Sequence, residues 1–177
     1  MALYNHVSSK QDLLRGVVGD LIARVDFSSQ NPDWRERIRA CFRALRNACL
    51  AHPCAVRLIE TIETLPASVF EPMEISIAAL EEVGADPQEA LRGYFLLTNF
   101  TLGQVSYEVR GPFIGVDLTQ ALRSGRIDGN VFPYVARAAA IGAWDFEHAF
   151  EFGISTILEG LKRVLPQTAP GELRFRG

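Results

Sequence analysis

The chain lacks the segments that membrane-embedded and exported proteins need. It contains no run of about 18 uncharged apolar residues that could span a bilayer. Its opening, MALYNHVSSK, has no basic segment followed by an apolar one. Cysteine is scarce as well, and three in 177 residues favour free, buried thiols over a disulfide framework. Because 48% of the residues are hydrophobic, a disordered chain is excluded, and we expect a cytoplasmic protein with no membrane partner.

Signatures of catalysis and metal binding are equally scarce. No Gly-x-Ser-x-Gly, phosphate-binding glycine loop or dinucleotide fingerprint is present, so the sequence predicts neither an enzyme nor a cofactor. Cys49, His52 and Cys54 offer three soft ligands, but a zinc site needs a fourth. Asp145-x-x-His148 has the spacing of half a di-metal site without the second copy, and a helix-capping aspartate beside a surface histidine explains it more simply. We expect no metal, and a metal-dependent helical enzyme is the weakest alternative.

Positive charge is concentrated at one end of a chain whose net charge is −3. Residues 1–50 contain eight Lys and Arg against five Asp and Glu, whereas residues 51–177 contain ten against sixteen. A basic end that could meet phosphate, followed by an acidic remainder, is the asymmetry of a DNA-reading head on a regulatory body. A helix with an arginine-rich surface explains the same numbers equally well.

Apolar residues recur at helical spacing almost throughout the chain, which predicts an all-α fold. Ser9 opens a helix that runs to Val25 with a capping-box pattern, and a linker follows. Asp33 then caps a second helix. Residues 53–65 are predicted as a third, short helix, since proline is tolerated in a first turn.

The second half of the chain continues this pattern. A helix ends at Gly84, which is placed for a left-handed turn. Residues 91–110 form a helix that is apolar almost all round and must be covered on more than one side. Residues 111–133, with four Gly and two Pro, predict a mobile excursion with at most a short helix over 117–124. A last long helix is capped by Asp145.

Three glycines within these helices predict a subunit interface. Gly153 and Gly160 lie seven residues apart on one helix face, and each costs about 1 kcal/mol of helix propensity relative to alanine. Close approach of a second helix would compensate that cost. With Gly103 on the preceding long helix, and Ile157 and Leu161 beside them, they predict a four-helix contact in a homodimer. The alternative is that these glycines are tolerated in the core of a monomer.

A candidate effector site is marked by polar residues on otherwise apolar helix faces. The first choice is Asn99, because a buried amide without partners loses on the order of 1–3 kcal/mol and a ligand could provide those partners. Trp144 and Phe146 would suit an apolar or aromatic small-molecule effector. The alternative is that threonines bond back to their own helix and that each residue has a core role. The full candidate set is Asn99, Phe95, Thr98, Thr61, Phe100 and Gln104.

The opening residues resemble a known DNA-binding unit. Residues 2–14, ALYNHVSSKQDLL, are similar to the end of the helix-turn-helix of the tetracycline-repressor (TetR) family, with its small-leucine-tyrosine-x-histidine start, polar residues, lysine and leucine pair. The resemblance implies that Tyr4, His6 and Lys10 contact DNA phosphates. Their phenol, imidazole and ammonium groups suit phosphate oxygens and carry no base code. Without the resemblance, Tyr4 and His6 would be interpreted as ordinary core-edge residues.

Two stretches near the other end are similar to the C-terminal domain of the same family. These are FEFGI at 150–154 and LEGL at 158–161. The resemblance then covers nearly the whole chain. It implies the end of a DNA-binding head over residues 1–25, a helical regulatory and dimerisation domain over 33–166, and a tail over 167–177.

The resemblance implies a function and one departure from the family pattern. The family's members are DNA-binding regulators, and we expect a repressor that a small, largely apolar effector releases from operator DNA. The chain begins inside the recognition helix, so about 40 residues of the family's head are missing, and we expect the natural protein to be longer. The alternative is a headless, dimeric helical binding or scaffold protein with no DNA role.

Overall fold

A computed structural model describes residues 9–59, 61–109, 115–142 and 144–165. Every regular element in these residues is helical, which confirms the predicted all-α fold. A 3₁₀ turn at Ala67–Val69 leads into the fourth α-helix. The α-helices of the described residues are α1 (Lys10–Ala23), α2 (Trp34–Ala51), α3 (Cys54–Ile59), α4 (Phe70–Glu81), α5 (Pro87–Val109), α6 (Gly115–Arg123), α7 (Pro133–Ala139) and α8 (Phe146–Val164).

The helix starts follow the capping residues of the sequence. The Ser9 hydroxyl accepts the Asp12 backbone N–H at 3.1 Å, and the Asp33 carboxylate accepts that of Arg35 at 2.9 Å. The Asp145 carboxylate does the same for the first turn of α8. These bonds satisfy backbone donors that have no partner within the helix, so the predicted starts of α1, α2 and α8 are confirmed.

Helix ends and short helices differ from the prediction in two places. The helix predicted over 53–65 is wrong at its end, because α3 stops at Ile59. The residues that follow are rich in β-branched side chains and precede Pro66, and both features disfavour helix. The excursion over 111–133 contains α6, as predicted, and α7 begins at its last residue and runs through a stretch for which no helix was predicted. Gly84 has a φ of 97°, which confirms the left-handed turn that ends α4.

The core lies where α2, α4 and α5 pack together, and α8 closes it by packing on α5. Helix α1 lies against the 3₁₀ turn, α3 and α2, while α6 and α7 pack on each other. Phe42, Leu97 and Phe150 are fully buried, and burial of each such side chain stabilises the fold by about 1.5–3 kcal/mol. Phe27 is also buried, at 1% exposure, so the predicted linker between α1 and α2 is anchored in this core.

The basic character of the first 50 residues comes from α2. Five of the eight basic residues lie in this helix, and each forms an ion pair with a glutamate. Helices α2 and α8 run antiparallel and are joined by a row of ion pairs. These are Arg35 with Glu159, Arg39 and Arg43 with Glu151, and Arg46 with Glu147. The arginine-rich surface of α2 therefore accounts for five of the eight basic residues, and a DNA-reading role of the remaining three stays a prediction.

A candidate ligand groove between the last two long helices

A groove of about 630 Å³ lies between α5 and α8 and is closed on its third side by α6 and α7. Its size is that of pockets that bind drug-sized molecules. Apolar and aromatic side chains form most of the wall. The lining residues are Phe100 and Gln104 of α5, Leu118 of α6, Ala138 and Ala139 of α7, Ile141, Gly142, Trp144 and Asp145 of the connection, and His148, Ala149, Phe152 and Gly153 of α8.

The floor of the groove is the Phe100 ring, and Gly153 makes its position possible. A Cβ atom on Gly153 would lie 2.1 Å from Cζ of Phe100, so only glycine admits the ring this close to α8. The same ring stacks on the buried Phe150, with centroids 5.9 Å apart and planes inclined by 23°. Phe100 is thus held against Gly153 and the Phe150 ring of α8, and the rest of its surface faces the groove.

Polar groups lie at the rim of the groove. The Asp145 carboxylate accepts the His148 backbone N–H at 3.0 Å, and the His148 side chain is exposed, as expected for a capping aspartate beside a surface histidine. Gln104 is half-buried. Among the described residues, neither the Gln104 amide nor the His148 imidazole hydrogen-bonds another group, so both are available to a ligand.

An ion-pair cluster supports the groove from behind. Arg46 of α2 is only 4% exposed, and its guanidinium donates to both carboxylate oxygens of Glu108 on α5 at 2.9–3.2 Å. It also pairs with Glu147 of α8 and lies 5.0 Å from the centroid of the Phe150 ring. One side chain therefore joins α2, α5 and α8 immediately beneath the aromatic floor.

The predicted effector residues divide between the groove and other places. Phe100 and Gln104 line the groove, whereas Asn99 and Phe95 do not. The expectation that the Asn99 amide is buried is wrong, because the residue is exposed on the face of α5 that turns away from the core. Its contact with an effector remains a prediction. Phe95 is 46% exposed, and its contact with an effector likewise remains a prediction.

The two predicted threonines have different surroundings. Thr61 is exposed after α3, and its hydroxyl donates to the Leu58 carbonyl at 2.9 Å, which matches the alternative that threonines bond back to local backbone. Thr98 is half-buried, and its hydroxyl has no hydrogen-bond partner among the described residues; burial raises the pKa of Tyr94, one turn before it on α5. Neither threonine lines the groove.

Sequence reasoning missed His148 and Phe152 as groove residues. His148 was considered only for its spacing from Asp145, and Phe152 only as part of a family signature. Phe152 is 69% exposed although Phe150 on the same helix is fully buried. The signal that could have found it is its position, two residues from the buried Phe150, which places it on a different face of α8.

The predicted DNA contacts are only partly within the described residues. Tyr4 and His6 lie outside them. Lys10 is the first residue of α1 and is exposed. Its contact with phosphate remains a prediction.

The predicted interface residues behave in two ways. Gly103 and Gly160 have no atom of a neighbouring element within 4 Å of the position of a Cβ, so nothing within the described chain requires a glycine at either position. Gly153 instead contacts Phe100 of its own chain, so the close approach that compensates this glycine is intramolecular. Ile157 and Leu161 are half-buried against the core. None of these contacts tests the dimer.

Two other kinds of site are absent from the residues that the structure describes. No three His, Cys, Asp or Glu side chains come together there as metal ligands. Cys49 is buried, whereas Cys54 is exposed, contrary to the expectation of buried thiols throughout. Within the same residues no helix combines the length and apolar character needed to cross a bilayer.

Solved structures that share this fold are TetR family regulators. The TetR family protein ActR of Streptomyces coelicolor in complex with (S)-DNPA has a TM-score of 0.79 and 25% identity, covering 93% of this chain and 81% of that one. ActR in complex with actinorhodin has a TM-score of 0.77 and 27% identity, covering 90% and 78%. A possible TetR family transcriptional regulator of S. coelicolor A3(2) has a TM-score of 0.78 and 28% identity, covering 92% and 82%. The class of protein is therefore a helical transcriptional regulator.

Sequence comparison identifies the family. Residues 28–165 match the family model described as tetracyclin repressor-like, C-terminal domain, and the chain belongs to this family. The tetracycline repressor protein class E of Escherichia coli is 27% identical over 170 residues, which are 93% of this chain and 76% of that repressor. The resemblance predicted from the two short stretches in α8 is confirmed.

Proposed function

We propose that the protein is a cytoplasmic, homodimeric transcriptional repressor that leaves its operator DNA when a small, largely apolar effector binds in the C-terminal domain. The observation that carries this proposal is the 630 Å³ groove between α5 and α8. A groove of this size with an aromatic floor and two free polar groups at its rim has the make-up of a small-molecule site.

Solved relatives support an effector of this size. ActR, which shares the fold at 25–27% identity, has been solved with (S)-DNPA and with actinorhodin bound. Because one member of this fold binds small molecules, we expect the groove of this chain to be able to bind one as well.

The dimer is proposed to form through the outer faces of α5 and α8. On α5, Leu96, Asn99 and Gly103 share one face at helical spacing, and Leu96 is 49% exposed. On α8, Gly160 and Val164 share another exposed face. Small residues flanked by apolar side chains allow two helices from each subunit to pack closely in a four-helix contact.

This arrangement gives the effector a means of acting on DNA. The helices that form the groove also carry the proposed dimer surface, so a molecule that separates α7 from α8 would alter the angle between subunits. Each subunit would present Tyr4, His6 and Lys10 to phosphates. Since two half-sites are bound at a fixed spacing along the duplex, a change in that angle would weaken binding.

The test uses the protein expressed from its complete reading frame and DNA flanking its gene. We expect a retarded band at fixed ionic strength that an unrelated duplex of equal length does not compete away. The probe N-phenyl-1-naphthylamine is neutral, apolar and fluorescent in apolar sites, and we expect it to bind and to reduce the retarded fraction. A dimer that binds the probe but retards no DNA would favour the binding or scaffold protein. A monomer would contradict the proposed mechanism.

A further inference from the structure

The groove has a rigid aromatic surface on which a ligand could stack. Phe100 is fixed by Gly153 at its tip and by Phe150 on one side, so its ring needs no ordering when a ligand arrives. Trp144 and Phe152 flank the same groove and are 52% and 69% exposed. Three aromatic side chains therefore surround a space whose other lining residues are aliphatic or glycine, apart from the polar Gln104, Asp145 and His148.

The charges around the groove disfavour an anion. None of the described lining residues is a lysine or arginine, and Asp145 contributes a carboxylate. The amino end of α8 would attract an anion by its dipole, but the Asp145 carboxylate already accepts a backbone N–H there and places a negative charge at that end. Apart from the His148 imidazole, the described lining offers a carboxylate or phosphate no basic side chain.

The polar groups at the rim match an uncharged oxygen. The Gln104 amide can donate and accept, and the His148 imidazole offers ring nitrogens that can hydrogen-bond a ligand. Both are unpaired within the described residues. A hydroxyl or carbonyl group can therefore be bound without a charge on the ligand.

On these observations, and resting on the proposed function, we propose that the groove binds a neutral, planar aromatic compound that stacks against Phe100 and hydrogen-bonds through an oxygen to Gln104 and His148. The aromatic body selects for planarity because ring pairs gain more than the area they bury. The Asp145 carboxylate selects against acids. The class includes phenols and quinone-like carbonyl compounds.

Three bicyclic probes of similar size test this proposal by isothermal titration calorimetry. They are 2-naphthol, its saturated analogue decahydro-2-naphthol and the anion 2-naphthoate. We expect 2-naphthol to bind about tenfold more tightly than each of the others. A saturated or anionic analogue that binds as tightly, or no binding of 2-naphthol at about 1 mM, would overturn the proposal.

Two variants locate the site. In Gly153→Ala the new methyl group displaces the Phe100 ring, and we expect at least a fivefold loss of 2-naphthol affinity by the same measurement. Gly16→Ala is the matched control, because this helical glycine has nothing within 4 Å of the added Cβ and lies on α1. Equal affinities of the two variants for 2-naphthol would contradict the proposal that the ligand stacks against Phe100.

A second comparison is independent of the folding of the glycine variant. In Gln104→Leu combined with His148→Leu, we expect 2-naphthol to lose its advantage over naphthalene, since only the hydroxyl loses its partners. A retained advantage would contradict the polar contacts. If N-phenyl-1-naphthylamine binds and releases DNA but 2-naphthol does not compete with it, the proposed function stands and the ligand class is wrong.

Discussion

The Arg46 cluster provides the most direct test of what holds the groove in place. Arg46 is buried at 4% exposure, while the side chains of its partners Glu108 and Glu147 are 20% and 61% exposed. Replacing Arg46 by methionine fills the volume but leaves Glu108 without its partner in a partly buried position. Loss of one member of a buried ion pair costs about 3–5 kcal/mol.

The exposure of the two glutamates sets the expected size within this range. Water reaches Glu147 and part of Glu108, so the unpaired charges are screened, and we expect Arg46→Met to lower the free energy of unfolding by about 3 kcal/mol. For a domain of this length that corresponds to a fall in Tm of roughly 6–12 °C. Glu108→Gln leaves Arg46 paired with Glu147, and we expect a smaller loss of about 1–2 kcal/mol.

A double-mutant cycle measured by urea unfolding separates the pair from its surroundings. Protein concentration is held constant, because a dimer makes the apparent stability depend on it. With both changes present, no unpaired charge remains between α2 and α5, so we expect the double variant to be about 1–2 kcal/mol more stable than the sum of the single losses predicts. Additive losses would refute the inference that Arg46 and Glu108 act as one buried pair.

Further predictions concern the thiols and the dimer. Burial raises the pKa of Cys41 to about 12 and of Cys49 to about 11, from an ordinary value of 9.0, so at mildly alkaline pH we expect a thiol reagent to label Cys54 alone until urea exposes the others. The raised pKa values mean that folding favours the protonated thiols, so their contribution to the free energy of unfolding is complete below pH 9.0. We expect this free energy to fall as the pH rises from there towards 12. A urea midpoint that does not change over this pH range would contradict the prediction. Gly160→Trp should reduce the dimer fraction in sedimentation without lowering helix content, and an unchanged dimer would exclude this face of α8 from the contact.

Much of the fold was predictable from local signals. Ser9, Asp33 and Asp145 each mark a helix start, because a side-chain oxygen in that position satisfies backbone donors that nothing else can reach. The end of α3 was not predictable from the proline at its start alone. The β-branched residues after Ile59 weaken the helix only by fractions of a kcal/mol each, and the contacts of the surrounding elements decide such cases.

The groove was less predictable than the fold. Phe100 and Gln104 were identified because they interrupt or extend an apolar face within one helix. His148 and Phe152 belong to a different helix, and no periodicity within α5 indicates which residues of α8 oppose it. The role of Gly153 was likewise interpreted as an intersubunit contact, because spacing on one helix shows that a close neighbour exists and does not show which chain provides it.

The buried side chain of Phe27 has a consequence for how the two ends of the molecule communicate. A connection of ten residues, 24–33, that is anchored in the core by Phe27 cannot act as a flexible linker between α1 and α2. We therefore expect a tilt of α2 to displace the carboxyl end of α1 as well. The displacement would be largest at the amino end of α1, at Lys10.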